Sequence, residues 1–543
     1  ADSNYQEILG TMSVKTGKWY WEVKPTSNPT NAAPQNFGIT RGTGKGENSY
    51  VGYDNNGNGY GYSYDQAGNV VGGGSGDGVV NGATLATGQT SFTQNDIIGV
   101  AVDIPNGYLV FYKNGAHLYT ISGINSHDWF PAFSAYASGT FSVNFGQRPF
   151  SYTPPLGHKE LCAKNLPLLS TSPSVVRPQR HFDTVLYTGN SSTQKITGLE
   201  FKPDMIWFKS RTSTNGHGIA DSVRGRSKLN FPDTDQVEET SSSNRDLVSF
   251  DDGGFTLGNP QILGSTNNNG QSIVAWCWKA GGNSSTYNID GTGYGTASAA
   301  GLDGGSINPT GASVNTESGF GIYTYTGTGS NATIAHGLGT KPAWILVKNR
   351  NATSGSSTEN WTVYHQRNTD NPETDYLTLN GTSATADLNS IWNDTEPTSS
   401  LISIGTHPRV NDSASVNYIM YVWSEIPGFS KFGRYTGNGS SSGTYVDLGF
   451  KPAFLILKRT DDSKSWILFD NKRNPSNLVN TSLYPNRNDA DNGLSNLEVD
   501  FLSNGFKLRN SVSTINSSGG EFVYMAFAEQ SGQTPYDTFP NAR

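Results

Sequence analysis

An all-β protein, a multi-domain string of β-sandwiches, is what this sequence predicts, on three observations. Gly accounts for 64 of 543 residues and aromatic side chains for 11%, while only 15% are charged. Short apolar runs alternate with clusters of Gly, Asn and Ser, the residues that accept tight connections between strands. One phrase occurs three times: Lys202-Pro203-Asp204-Met205-Ile206-Trp207-Phe208-Lys209, Lys341-Pro342-Ala343-Trp344-Ile345-Leu346-Val347-Lys348 and Lys451-Pro452-Ala453-Phe454-Leu455-Ile456-Leu457-Lys458. Periods that long mean duplicated domains, not the short units of a solenoid.

The first domain, 1–155, carries strands at Lys18–Val23, Ile97–Asp103, Tyr108–Tyr112 and Phe141–Phe145. Along the first, Trp19 and Trp21 share one face, Tyr20 and Glu22 the other. Pro105-Asn106-Gly107 and Asn114-Gly115 are turn signals, since Pro fixes φ and Asn-Gly tolerates positive φ.

Four ordered motifs carry a resemblance: Gly17-Lys18-Trp19-Tyr20-Trp21-Glu22-Val23, Gly99-Val100-Ala101-Val102-Asp103, Val110-Phe111-Tyr112-Lys113-Asn114-Gly115 and Phe130-Pro131-Ala132-Phe133. The segment resembles a SPRY domain. That resemblance implies a bent, concanavalin-like β-sandwich used for binding and without catalytic residues. SPRY domains place one or two strands ahead of the Gly-Lys-Trp-Tyr segment, where sixteen residues stand here. The expectation is that initial strands are lacking or come from another chain.

Asp54-Asn55-Asn56-Gly57-Asn58-Gly59-Tyr60, with Asp65 at the twelfth place, imitates an EF-hand loop. An EF-hand needs flanking helices and a closing bidentate Glu, and the Gly, Tyr and Ser here supply neither. A Gly/Tyr-rich loop is the better reading, and no metal or other cofactor is expected. Tyr60, Tyr62 and Tyr64 alternate, so an extended strand places them on one face. Exposed, they are the candidate ligand-binding residues, stacking on a sugar ring; buried, they are ordinary sandwich core.

A Pro-rich connector, 156–179, leads to the first copy at 180–282. Residues 283–317, rich in Gly and Ser, read as a long loop or insertion. The second copy spans 318–427 and the third 428–543 with its tail; these two abut almost without linker, which points to rigid end-to-end packing. Each copy opens on Tyr-Thr-Gly (187–189, 325–327, 435–437) and closes on an aromatic strand, Ala275-Trp276-Cys277-Trp278, Met420-Tyr421-Val422-Trp423 or Tyr524-Met525-Ala526-Phe527. The Lys-Pro run is apolar on both faces, so it reads as a central, doubly covered strand, with Lys209, Lys348 and Lys458 marking emergence into solvent. A second strand begins at Trp361 and Trp466 and is followed by Arg367 and Arg473; the first copy departs, with Gly218-Ile219-Ala220-Asp221 before Arg224 and no Trp.

A SPRY domain followed by copies of the Tyr-Thr-Gly…Lys-Pro…Trp pattern resembles a virion structural protein of tailed bacteriophages of the marine type. The resemblance, carried further by Ile391–Ser400 and Phe501–Arg509, implies a place on the outside of the particle and other virion proteins as partners.

Chemistry-bearing constellations are few. The net charge of −8 and pI near 5.5 argue against nucleic acid, and the chain lacks an apolar run of about eighteen residues that would span a membrane. No secretory signal is read at the start. Cys162 and Cys277 form neither a disulfide framework nor a zinc spacing, and Cys277 is expected buried and inert. Eight histidines make no metal or catalytic motif. Asp251-Asp252, Asp461-Asp462 and Asp235 with Glu238-Glu239 are the acids a glycosidase would have to draw on, but adjacent acids in polar loops are usually solvated. The sequence reading is therefore a non-enzymatic tail fibre or similar appendage on the phage surface. It binds host-surface glycan through weak, multivalent contacts, and as a homo-oligomer, possibly a trimer, it gains avidity. A capsid decoration protein and a polysaccharide-cleaving tail spike are the rivals.

Overall fold

Trp19, Trp21 and Val23 alternate along one strand, and all three enter one core. The computed structural model describes residues 5–10, 13–29, 34–41, 50–52, 61–74, 79–124, 129–136, 139–161, 175, 177–282, 285–351, 359–491 and 497–530. The protein is nearly all β and divides into two compact units, the first drawn mainly from 1–170, the second from 171–437 and 446–535.

The first unit is a sandwich of two six-stranded sheets. Its strands, in chain order, are β1 (Tyr5–Leu9), β2 (Lys18–Pro25), β3 (Gln35–Thr40), β4 (Gly61–Asp65), β5 (Val70–Gly74), β6 (Val79–Ala86), β7 (Ile98–Asp103), β8 (Tyr108–Lys113), β9 (Ala116–Ser122), β10 (Phe130–Tyr136) and β11 (Phe141–Asn144). One sheet runs β1-β10-β3-β4-β5-β6, the other β11-β2-β7-β8-β9, with Lys159–Glu160 added parallel to β2. A strand ahead of β2 is thus present in this chain, paired antiparallel with β10. Gly38 is required where it stands, because a Cβ there would fall 1.8 Å from the Tyr62 carbonyl oxygen on the neighbouring strand.

In the second unit the three copies repeat one plan. The main sheet of the first orders Phe182–Thr188, Ser272–Trp278, Met205–Ser210 and Gly218–Asp221; that of the third orders Ser430–Thr436, Glu521–Gln530, Lys451–Arg459 and Ile467–Asp470. The second copy has the same four, Phe320–Thr326, Asn417–Ser424, Pro342–Asn349 and Thr362–His365, inside a nine-stranded sheet. Much of the extension comes from the 283–317 segment. Its strands Tyr287–Ile289, Thr292–Tyr294 and Gly311–Asn315 enlarge the sheet, so this segment is an insertion and not a loop.

The Tyr-Thr-Gly signature has a local cause. Tyr187, Tyr325 and Tyr435 each donate from the hydroxyl to a carbonyl, of Thr266, Val410 and Ile515, at 2.7, 2.6 and 2.7 Å. The next residue is in each case a buried Asn: 267, 411 or 516. The Gly passes so near this turn that a Cβ at 189, 327 or 437 would stand 2.2, 2.4 or 2.2 Å from a backbone oxygen. Any side chain there must displace backbone.

The Lys-Pro strands are doubly covered, as the pattern predicts. Ile206 and Phe208 face their own copy's small sheet, as do Ile345 with Val347 and Leu455 with Leu457. The alternate residues Met205, Trp207, Trp344, Leu346, Phe454 and Ile456 enter one core shared by all three copies. This shared core replaces the end-to-end packing expected from the short linker. Each main sheet has an apolar face that its two sisters cover, and burying that face drives association.

Candidate functional site

Ionisable groups in the second unit concentrate on the seams between copies. On the seam joining the first and third copies, Asp470 and Arg473 are both fully buried and form a 2.6 Å ion pair. Trp276 of the first copy donates its indole N–H to the same carboxylate at 3.0 Å, and the Arg473 guanidinium lies 5.8 Å from that ring. Asp491 then bridges Arg473 to Arg211 of the first copy.

The seam joining the second copy to the first repeats this arrangement. Asp221 pairs with Arg224, Tyr421 of the second copy donates to Asp221 at 2.7 Å, and Glu238 bridges Arg224 to Arg350. The carboxylates raise both arginines further above their already high pKa, against the opposing effect of burial. The third seam, between the third copy and the second, carries no such pair among the described residues. His365 stands where Asp221 and Asp470 stand, meeting the Tyr524 carbonyl at 3.0 Å, and Asn368 replaces the arginine. Burial lowers the His365 pKa to about 4, so the ring is neutral. The expected correspondence of Arg367 with Arg473 therefore fails by one residue.

Lys209, Lys348 and Lys458 do not emerge into solvent; all three are buried on these seams. Lys348 donates to the carbonyls of Asp235, Asn349 and Glu359, and Lys458 to those of Thr382 and Arg459. Lys209 donates to Ser210 and Ser213. Burial lowers each to about 8, which leaves them protonated at neutral pH. Asp251 accepts from Thr256, and Asp461 and Asp462 pair with Arg459. Among the described residues, no group of three His, Cys, Asp or Glu could hold a metal ion. Cys277 is buried, with its thiol pushed well up by burial.

Two of the three candidate ligand tyrosines, Tyr62 and Tyr64, fall on the wrong face. Tyr62 and Tyr64 lie in the sandwich core, Tyr62 against Trp129 and Tyr64 against Phe92 and Phe111. Tyr64 also spends its hydroxyl on the Thr90 carbonyl. The alternation was real, but it marks the inward side of β4, where ring area is worth more buried. Tyr60 and the loop from Asp54 lie outside the described residues, and Asp65 accepts instead from Asn69 and Ala67.

Outward tyrosines stand on the other sheet. Along β8, Leu109 and Phe111 enter the core, so Tyr108, Val110 and Tyr112 face out, and Tyr108 is 43% exposed. On the neighbouring β9, Thr120 and Ser122 share that face, with Thr120 opposite Val110 and Ser122 opposite Tyr108. The His117 ring meets the Thr120 hydroxyl at 2.9 Å and lies edge-on to Tyr112.

A strap, residues 149–158, crosses the adjoining part of the same face. Glu22 anchors it by accepting the backbone N–H of Ser151 and Tyr152, each at 2.9 Å, and Phe150 packs edge-on against Tyr20 at 5.0 Å. Tyr152, 36% exposed, lies over Gly115, and Leu156 at the strap's far end is 98% exposed. The strap is thus a wall beside the β8–β9 floor. The two cations nearest this floor are paired: Lys18 with Asp103 at 2.8 Å and Lys113 with Asp96 at 3.1 Å. Burial raises both carboxyls, but hydrogen bonds outweigh it and hold them below the ordinary range.

A signal for this face existed in Tyr108-Leu109-Val110-Phe111-Tyr112. Period two alone does not say which alternate set is buried, and only the sandwich assigns Leu109 and Phe111 inward.

Family models match both units. Residues 18–148 match the SPRY domain, and residues 177–531 match a domain of unknown function, DUF7483. The chain belongs to the DUF7483 family. Its first unit is a SPRY domain, and the three copies together make up the DUF7483 region. Similar solved structures include the SPRY domain of human HERC1, 19% identical, covering 27% of this chain and 87% of that one, TM-score 0.22. A second human SPRY domain is 12% identical, covering 27% of this chain and 89% of that one, also at TM-score 0.22. No curated protein matches the chain.

Proposed function

We propose that this SPRY–DUF7483 protein is a non-catalytic structural component of the outside of a phage particle, a tail fibre or similar appendage that meets host-surface glycan during adsorption. One observation carries the reading. The groups that chemistry would need, Asp221, Asp470, His217, His365 and the three lysines, are spent on the seams. Asp221 and Asp470 each accept from a ring of another copy, His365 meets another copy's backbone, and Lys348 and Lys458 donate to another copy's carbonyl. His217 takes the indole N–H of Trp207 and lies against the backbone of Tyr484 and Arg487 in the third copy. Side chains bound in this way stiffen a support, and they have no room to move protons to a substrate. A rigid support bearing a separate binding domain is the construction an adsorption element needs.

Electron microscopy of purified particles, with gold-labelled antibody against the SPRY domain, tests this directly. Label on tail appendages is the expected result. Label on the head would replace the fibre reading with a decoration protein, and particles without label would remove the protein from the virion. Release of oligosaccharides from host envelope glycan by the purified chain would overturn the non-catalytic part.

A further inference from the structure

The outward face of β8 and β9 combines flat rings, hydroxyls and paired cations beside a wall. Tyr108, Val110 and Tyr112 form a row along one strand, with the two rings about 13 Å apart at the strand rise of roughly 3.3 Å per residue. Thr120, Ser122 and His117 flank the row with donors and acceptors. Tyr152 and Leu156 rise from the strap on the other side.

We infer that this face is a carbohydrate site for an extended, uncharged glycan, whose rings stack on Tyr108 and Tyr112 and whose hydroxyls bond along Thr120 and Ser122. This rests on the adsorption reading above and supplies its contact surface.

Three observations favour this occupant. A sugar ring has an apolar face and a polar rim, and a tyrosine ring beside a row of hydroxyls answers both. A polyanionic glycan or nucleic acid would need free positive charge, whereas Lys18 and Lys113 are already committed to Asp103 and Asp96. A protein partner would need roughly 800 Å² of surface on this side with a buried apolar centre, whereas the described residues expose three large apolar side chains here, Tyr108, Tyr152 and Leu156. The strap makes Glu22 a positioning residue, because its two hydrogen bonds hold Tyr152 in place.

The test uses the full chain in affinity electrophoresis and calorimetry. The probes are four neutral oligosaccharides of six sugars (β-1,4-glucan, α-1,4-glucan, β-1,3-glucan and β-1,4-mannan), with dextran sulfate as the polyanion. The site predicts millimolar binding to at least one neutral probe and none to dextran sulfate. Tyr108→Ala and Tyr112→Ala should each weaken binding about ten-fold, the loss of one stacking contact. Tyr108→Phe should stay within about three-fold, and Leu186→Ala, an exposed leucine of the DUF7483 region, should leave binding unchanged. Because Tyr108 is exposed, its alanine variant should melt with the parent, so a loss reports contact and not unfolding. Absence of binding to all four neutral probes, binding of dextran sulfate alone, or binding indifferent to Tyr108→Ala would each overturn the site. Microscopy of the particle stays independent: labelled tails with no sugar binding would reject this face while sparing the adsorption reading.

Discussion

Two seams of the DUF7483 region carry a fully buried ion pair and one does not, although all three join copies of the same domain. Where Asp221 with Arg224 and Asp470 with Arg473 bind the first copy to its neighbours, the neutral His365 joins the second to the third. A buried ion pair rarely adds net stability over well-packed neutral groups, yet removing one partner leaves a charge in the core. The comparison teaches that the ring does not need a buried ion pair on every seam to close. The paired seams are instead the ones that tolerate error least.

The largest effect should come from breaking one pair on one side. Asp470→Ala removes the fully buried partner of Arg473, leaving it Asp491, and takes the acceptor from the Trp276 indole at the same time, and chemical denaturation should show a loss of about 3–5 kcal/mol. His365→Ala on the neutral seam strands no charge and should cost about 2–3 kcal/mol, from the partners lost by the Tyr524 carbonyl and the Arg367 N–H and from the buried ring removed beside Trp344. Equal losses at the two positions would end the distinction drawn between the seams.

Acid and base sharpen the same contrast. The three lysines sit at about 8 in the folded chain against an ordinary 10.5. The unfolded chain therefore binds more protons between those values, and stability should rise as pH climbs from 8 towards 10, by on the order of a few kcal/mol. His365, at about 4 against an ordinary 6.5, acts with the same sign in the acid range. Its contribution is present above 6.5 and is lost as pH falls through 4. In His365→Asn that part of the acid slope should vanish, while the alkaline rise remains; an unchanged acid slope would clear His365 of any role.

A smaller effect separates backbone from side chain. Gly327→Ala places a methyl 2.4 Å from the Asp412 carbonyl oxygen and should cost about 1–3 kcal/mol, the usual range for forcing a strained site. Similar in size is Trp466→Phe, which removes the 2.9 Å bond from the indole to the Thr378 carbonyl across the neutral seam and trims a fully buried ring packed against Trp344. About 1–3 kcal/mol is expected, read as a drop in melting temperature.

The three copies were legible because their signature residues do local work: the tyrosine hydroxyl, the close-approaching glycine and the doubly covered strand all leave marks within one domain. The seams were not, since they join residues such as Trp276 and Asp470 that are 194 positions apart. A lysine ending a greasy strand reads as a step into water unless a neighbouring copy is known to supply carbonyls. The tyrosines of β4 and β8 show the same limit in the SPRY domain. Each set alternates faultlessly, and only the partner sheet decides that Tyr62 and Tyr64 face in while Tyr108 and Tyr112 face out.

The closed threefold core has a consequence for birth on the ribosome. The first copy's greasy sheet face is finished when Trp278 is made, yet Phe454 and Phe527, which pack on Phe182 and Trp278 and cover part of it, are translated much later. Until then a wide sticky surface waits in the open, exposed to neighbouring nascent chains. Assembly of this molecule is therefore hostage to its third copy, and a message stalled or clipped before it should yield clumped protein instead of a smaller, working one.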